Sequence, residues 1–291
     1  MDQAEQLRNV IKKRTKSLAQ DARVIVVTSG KGGVGKSNIS INLAIQLKML
    51  GSRVLIFDAD FGLANIEVMF GKLPKYTLAD VIYQGKPMKD IITWGPMDVG
   101  FISAGSGIAG LNNLNKESIH YLIKNLSDLD SIADIIIIDT GAGISNTVLE
   151  FLVSGGEILL VTTPDPSSIT DSYSLLKVLC RHPHYQKENT FVKLIANQVE
   201  TLEEGEQLYN KLNSVIKKYL DLQLDYLGMI PLDSQLSKAV LQQNPVSLQS
   251  PNAKSSRAFQ TLAEKIAFGQ ASGIKKGGIK EFFAQFLNIK S

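Results

Sequence analysis

Residues 30–37, GKGGVGKS, place four glycines and two lysines between an apolar run ending at Val27 and an amphipathic run that follows. They fit G-x-x-x-x-G-K-[ST] with a strand-like segment before and a helix-like one after, the context that separates a phosphate loop from a chance Gly-rich turn. In such a loop Gly30, Gly32, Gly33, Val34 and Gly35 supply backbone amides that turn inward around phosphates, and the helix beginning nearby adds its positive end. Lys36 is positioned for the β and γ phosphates, and the Ser37 hydroxyl is suited to Mg²⁺, with Asn38 next in line. Asp139 closes the run DIIIID and could hold Mg²⁺ through water. Gly141 and Gly143 just beyond it let backbone approach the γ-phosphate. Asp58 and Asp60, in FDADFGLAN, end another apolar run; Asp60 could orient an attacking water while Asp58 supports the Mg²⁺ shell. The plain alternative for each acid is a turn-forming Asp at a strand end.

These groups need a scaffold that ends several strands at one edge. Apolar runs rich in Val and Ile start near Arg23, Arg53, Asp98, Asp134, Glu157, Phe191 and Leu224. Most are continuous rather than alternating, as in strands covered on both faces. Helix-like stretches such as NISINLAIQLKML and KESIHYLIKNLSDL lie between them. Strand–helix–strand repetition predicts an α/β fold: a doubly wound, mainly parallel sheet with ligands at the carboxyl ends of its strands. One core domain is expected over residues 23–269, preceded by a basic helix-like segment at 1–22 and followed by a Gly-rich hinge and terminal helix at 270–291. The stretch GSGIAG at 105–110 also spells G-x-G-x-x-G, but no acid follows at ribose distance, so it reads as a connection.

The chain has 291 residues and a formal charge of +3, too balanced for a general nucleic-acid binder. Its single cysteine, Cys180, excludes an internal disulfide and a CxxC metal or cluster site. No apolar run is long enough to span a membrane, and the N-terminus lacks a signal-peptide core. Trp94, His182 and Cys180 read as packing or surface residues.

With its early second lysine, Lys31, GKGGVGKS resembles the deviant phosphate loop of the MinD/ParA family of P-loop ATPases, and the likeness extends over most of residues 23–250. The resemblance implies a homodimer formed with ATP, in which Lys31 crosses to the partner's phosphates and hydrolysis releases the pair. It also implies that DADFGLANIEVMFG and DTGAGIS are the two switch segments, and that TTPDPSSITDSYSLLK carries dimer and regulator contacts. Asn197, Pro231, Leu232 and Asp233 correspond to an adenine pocket, and Gln198 stands where a guanine-type motif would carry lysine. Asn38 and Gly141 depart from the common family pattern.

The two ends distinguish among relatives. Ile279, Phe282, Phe283, Phe286 and Leu287 follow 3, 4, 7, 8 spacing, and Lys275, Lys276, Lys280 and Lys290 against Glu281 leave this tail at +3. A basic amphipathic helix of this kind suits an anionic membrane surface, and docking on its own core is the alternative. The opening DQAEQLRNV resembles the activator motif of the FlhG group of flagellar number regulators. By that likeness Gln3, Leu7 and Arg8 would engage and stimulate an FlhF-like GTPase, with flagellar C-ring proteins as further partners. Leu7, Val10 and Ile11 form an apolar stripe compatible with docking in a groove. The expectation is a cytoplasmic protein, peripheral on the plasma membrane when ATP-bound. A ParA-type partitioning ATPase that binds DNA is the alternative.

Overall fold

The computed structural model describes residues 21–60, 65–104, 116–269 and 278–288. The chain opens with β1 (Arg23–Thr28), α1 (Lys36–Met49), β2 (Val54–Ala59), α2 (Asn65–Phe70) and α3 (Leu78–Gln84). Next come β3 (Thr93–Trp94), β4 (Gly100–Ser103), α4 (Lys116–Ile132), β5 (Ile135–Thr140), α5 (Asn146–Ser154), β6 (Glu157–Thr162) and α6 (Pro166–Cys180). The remainder holds β7 (Phe191–Val199), α7 (Leu202–Tyr219), β8 (Leu224–Pro231), α8 (Ser234–Leu241), α9 (Val246–Gln249), α10 (Lys254–Phe268) and α11 (Gly278–Asn288).

One sheet of eight strands runs in the order β3-β4-β2-β5-β1-β6-β7-β8. Every neighbouring pair is parallel except β3 with β4. The doubly wound expectation holds, with β3 as an antiparallel edge the sequence reading did not include. The run read from Asp98 begins as a strand only at Gly100, because residues 96–98 form a tight 3-10 turn.

The β-branched strands β2, β5 and β6 are buried along their whole length, since helices cover both faces. On one face Ile25, Val27, Ile56 and Ile137 meet α1 and α10; on the other Val26, Phe57, Ile136 and Ile138 meet α4, α5 and α11. Helix α1 is buried nearly all round, from Ile39 to Leu47, because it lies between the sheet and α10. Among the described residues no helix is long and apolar enough to cross a membrane.

Helix α11 forms the single apolar face expected from its spacing, but that face covers the core. Ile279, Phe282, Phe283, Phe286 and Leu287 are all buried. The Phe283 ring sits edge-on to Phe57 at 5.2 Å and Phe286 stacks on Phe151 at 4.3 Å. The reading of residues 270–291 as a segment apart from the core is therefore corrected for α11. The physical reason is that a groove between α4 and α5 removes the phenylalanines from water, at about 1.5–3 kcal/mol each. The segment 1–20, GSGIAG at 105–110, residues 61–64 of the first switch and the hinge at 270–277 lie outside the described residues.

Candidate nucleotide site

Register creates the site. Asp58 and Asp139 are direct partners across β2 and β5, and Val27 of β1 pairs with Asp139, so three strands end level and present their last residues together. The phosphate loop leaves β1 and enters α1 through Gly35, whose φ of 94° is left-handed. A Cβ on Gly35 would lie 2.6 Å from Asn197 Nδ2, and one on Gly30 2.2 Å from the backbone of Asp171 in α6. Both positions need glycine, because the loop is pressed between β7 and α6.

Lys36 is buried and its Nζ donates to Ser29 Oγ at 3.1 Å. Burial lowers its pKa, opposed by the charges of Asp139 and Asp60. Asp139 is fully buried; its Oδ1 accepts from Ser40 Oγ at 2.8 Å, while its Oδ2 has no partner. Burial pushes this carboxyl up to about 6, against hydrogen bonds from Ser37 and Ser40 and the charge of Lys36. Asp58 is pushed further, to about 8, by burial and then by the charge of Asp139, although the amides of Asp60 and Ile66 donate to it at 3.2 and 3.3 Å. Asp60 accepts from Asn65 Nδ2 at 3.3 Å and borders Gly141. Beyond Gly141, the Gly143 amide donates to Ser29 O at 3.0 Å, tying the second switch segment to the phosphate loop.

A divalent cation fits these residues. Asp139 supplies a buried acceptor without a partner, Ser37 a hydroxyl next to the phosphate-loop lysine, and Asp58 a neighbouring carboxyl whose proton a cation would displace. The phosphate chain fits the loop amides and Lys36. Beside the loop opens a cleft of about 350 Å³, lined by Lys31, Val34, Pro164, Gln198, Glu204 and Leu232 among others. Asn197 donates to Val34 O at 2.7 Å, and its buried Oδ1 has no partner, leaving a carbonyl to read a donor.

The residues expected at an adenine pocket occupy different settings. Leu232 lines the cleft, and Pro231 is the buried last residue of β8. Asp233 requires correction: its Oδ1 caps α8 through the Gln235 amide at 2.9 Å, and its Oδ2 accepts from the amide and hydroxyl of Ser255. Its carboxylate is committed to joining α8 and α10. Asn38 sits in the first turn of α1 and accepts from Asn42 Nδ2.

Lys31 stands at the mouth of the loop, where its Nζ donates to Asp165 Oδ2 at 2.6 Å and to Ser167 Oγ. Asp165 also caps α6 through the Ser167 amide. The Lys31 hydrogen bond is the main reason its carboxyl is held at about 2. Sequence reasoning did not single out Asp165, Ser29 or Ser40. An Asp directly before the Pro that opens a helix is a legible cap signal, and Ser40 lies one helical turn from Ser37. Nothing local marks Ser29 as the acceptor for Lys36. Gln3, Leu7 and Arg8 fall outside the described residues.

Comparison with known proteins agrees with this geometry. Residues 20–267 match the family profile described as ParA, NUBPL iron-transfer P-loop NTPase. One cysteine, half-buried at the end of α6, offers no thiolate set for iron, so the match concerns the phosphate-loop fold. The antiactivator FleN of Pseudomonas aeruginosa is 40% identical over 265 residues, covering 91% of this chain and 93% of FleN. The flagellum site-determining protein YlxH of Helicobacter pylori is 35% identical over 295 residues, covering 98% of each. The septum site-determining protein MinD of Pyrococcus horikoshii, solved with Mg-ADP, superposes with a TM-score of 0.65 at 25% identity, over 84% of this chain and 96% of MinD. A phosphate loop, two level strand-end carboxylates and relatives of this similarity establish that the chain belongs to the MinD/ParA family of P-loop ATPases and, within it, to the group of flagellar regulators that includes FleN and YlxH.

Proposed function

We propose that this flagellar ATPase is a switch whose ATP-bound form is a homodimer on an anionic membrane, and that its N-terminal segment stimulates an FlhF-like GTPase. The loop amides and Lys36 bind the triphosphate, and Ser37, Asp58 and Asp139 would hold Mg²⁺, which when bound neutralises phosphate charge. Asp60, in the first switch segment and beside Gly141 of the second, orients the attacking water.

The observation that carries the dimer is the setting of Lys31. Its ammonium lies on the rim of the phosphate loop, restrained by an exposed ion pair with Asp165. Exposed pairs contribute little net free energy, so a triphosphate brought by a second copy can compete for the same cation. Sedimentation with ATP and Mg²⁺ in an Asp60→Ala background, which slows turnover, tests this. A dimer is expected, and a monomer when Lys31→Ala is added; dimers in both would remove Lys31 from the interface, and monomers in both would remove the switch.

The membrane reading is supported by α11, whose five buried apolar residues are presented by a helix bearing exposed Lys280. Released from its groove, that face suits the lipid interface, more strongly in two copies than in one. Flotation with anionic vesicles should be greater with ATP than with ADP. Equal retention of duplex DNA, lost with salt, would favour the ParA-type alternative. The GTPase role rests on the likeness of residues 2–10 to the activator motif. Leu7→Ala with Arg8→Ala should abolish stimulation of FlhF-like GTP turnover while leaving ATP turnover intact. C-ring contacts belong to the same reading, tested by co-purification with the switch-complex proteins.

A further inference from the structure

Residues 71–89, GKLPKYTLADVIYQGKPMK, wrap the outer edge of the sheet from α2 to the turn after α3. As far as Trp94 the segment carries Lys72, Lys75, Lys86 and Lys89 against Asp80 and Asp90, a net +2 in a chain of net +3. Asp80 is half-buried and occupied as the partner of Thr77 in a capping box and of Gln84. The lysines gather around aromatic rings. Lys75 Nζ lies 5.2 Å and Lys86 Nζ 4.6 Å from the centre of the Tyr76 ring, and Lys72 Nζ donates to Trp94 O at 2.7 Å. Large apolar side chains stand in water among them: Leu73 is 85% exposed, Tyr83 68% and Trp94 47%.

We propose that this rim, Lys72, Leu73, Lys75, Tyr83, Lys86 and Trp94, is a second membrane contact that meets anionic lipid headgroups while α11 is still docked. It deepens, and therefore rests on, the membrane reading above. Three features select a lipid surface over other anionic partners. Every cation is a lysine, a point charge suited to a diffuse negative surface, whereas fork-like recognition of a single carboxylate or phosphate group favours arginine. The exposed leucine has no counterpart on a phosphate backbone but inserts readily between headgroups. Tyr83 and Trp94 are the amphipathic aromatics that occupy a membrane–water boundary. The α3 part of the rim shares a side of the sheet with α11, because α4 packs against both α3 and α11, while Lys72 and Leu73 follow α2, which packs on the other side. A contact there would hold the molecule with its groove near the bilayer before the helix leaves it.

Trp94 is the chain's only tryptophan, so its emission reports this rim and not α11. The full-length protein is mixed with vesicles of phosphatidylcholine alone or with phosphatidylglycerol, in ATP or ADP, and both co-sedimentation and tryptophan emission are read. The expected result is a blue shift with anionic vesicles in either nucleotide, absent with neutral ones and reversed by salt. Lys72→Glu with Lys75→Glu and Lys86→Glu should weaken partitioning on the order of 100-fold, taking about tenfold or less per lysine near the surface. Leu73→Asp should weaken it without changing ATP turnover. ATP-dependent sedimentation with unchanged Trp94 emission would overturn the rim while leaving α11 as the anchor. No sedimentation in any nucleotide would overturn both. Tighter binding to duplex DNA or to polyglutamate than to vesicles, lost in the same lysine variant, would overturn the lipid assignment.

Discussion

Fully buried carboxylates stand at opposite ends of this sheet, and they are treated in opposite ways. At the amino end Glu157 opens β6 with both oxygens taken: Arg23 Nε and Nη2 each donate at 2.7 Å and Lys193 Nζ at 2.8 Å. Burial would raise its pKa, yet Arg23 and then Lys193 override this and hold it below the ordinary value. At the carboxyl end Asp139 keeps one oxygen without a partner, and Asp58 beside it is pushed up to about 8. Glu157 is paired with cations at both oxygens, whereas Asp139 keeps one oxygen without a partner and Asp58 accepts from the amides of Asp60 and Ile66. The difference teaches where folding ends and function begins: a buried charge with all its partners holds strands together, and one lacking a partner is kept for a ligand.

The sharpest way to break this contrast is to remove both complete and incomplete carboxylates. Glu157→Ala should destabilise the protein by about 3–5 kcal/mol, because it takes the shared carboxylate from two partly buried cations, and lower the melting temperature by roughly 10 °C in calorimetry. Lys36→Ala should leave folding nearly intact yet weaken ATP binding about 100-fold by titration calorimetry, the loss expected for charge-assisted hydrogen bonds to phosphate.

Asp58→Asn should have the opposite sign to Glu157→Ala. Between about pH 4 and 8 the folded metal-free protein keeps the Asp58 proton that the unfolded chain has released. Stability of the native protein therefore falls as pH rises through that window, and is flat below it. The Asn variant should be more stable at pH 8 by on the order of 1–3 kcal/mol, with no difference at pH 3, measured by denaturant titration without Mg²⁺. Smallest of all, Asp165→Ala should lower the melting temperature by only a few degrees, since its pair with Lys31 is exposed and the loss is that of the α6 cap. It should also lower the ATP concentration at which dimers form, seen by sedimentation.

Much of the carboxyl end was legible because a phosphate loop is a local object. Gly30 to Ser37 are consecutive, and their spacing carries their geometry. Asp139 was legible because four isoleucines before it announce a buried strand whose end must face a ligand edge. Asp58 is expected on the metal side, but its raised pKa follows first from burial and then from register with Asp139 on another strand, which no local pattern shows. Lys31 was read as a reaching cation, and its present partner Asp165 is 134 residues away. The family resemblance places Asp233 with Pro231 and Leu232 at an adenine pocket, whereas its position before a helix makes its side chain a cap. Strand β3 was missed because two residues bounded by a glycine and a proline turn leave no periodic signal.

Amino-acid order alone determined the alternation of buried strands and helices, the loop that binds phosphate and the single apolar face of the last helix. Each depends on contacts within one or two turns or on the period of a side-chain pattern. Tertiary structure decided what those faces meet. An amphipathic stripe is equally satisfied by lipid or by a groove, and here Phe57 and Phe151, from two distant elements, supply the groove for Phe283 and Phe286. Likewise a buried carboxylate carries no label for its role. Whether it became a finished ion pair, as Glu157 did, or kept an oxygen without a partner, as Asp139 did, was set by which strands folding placed beside it.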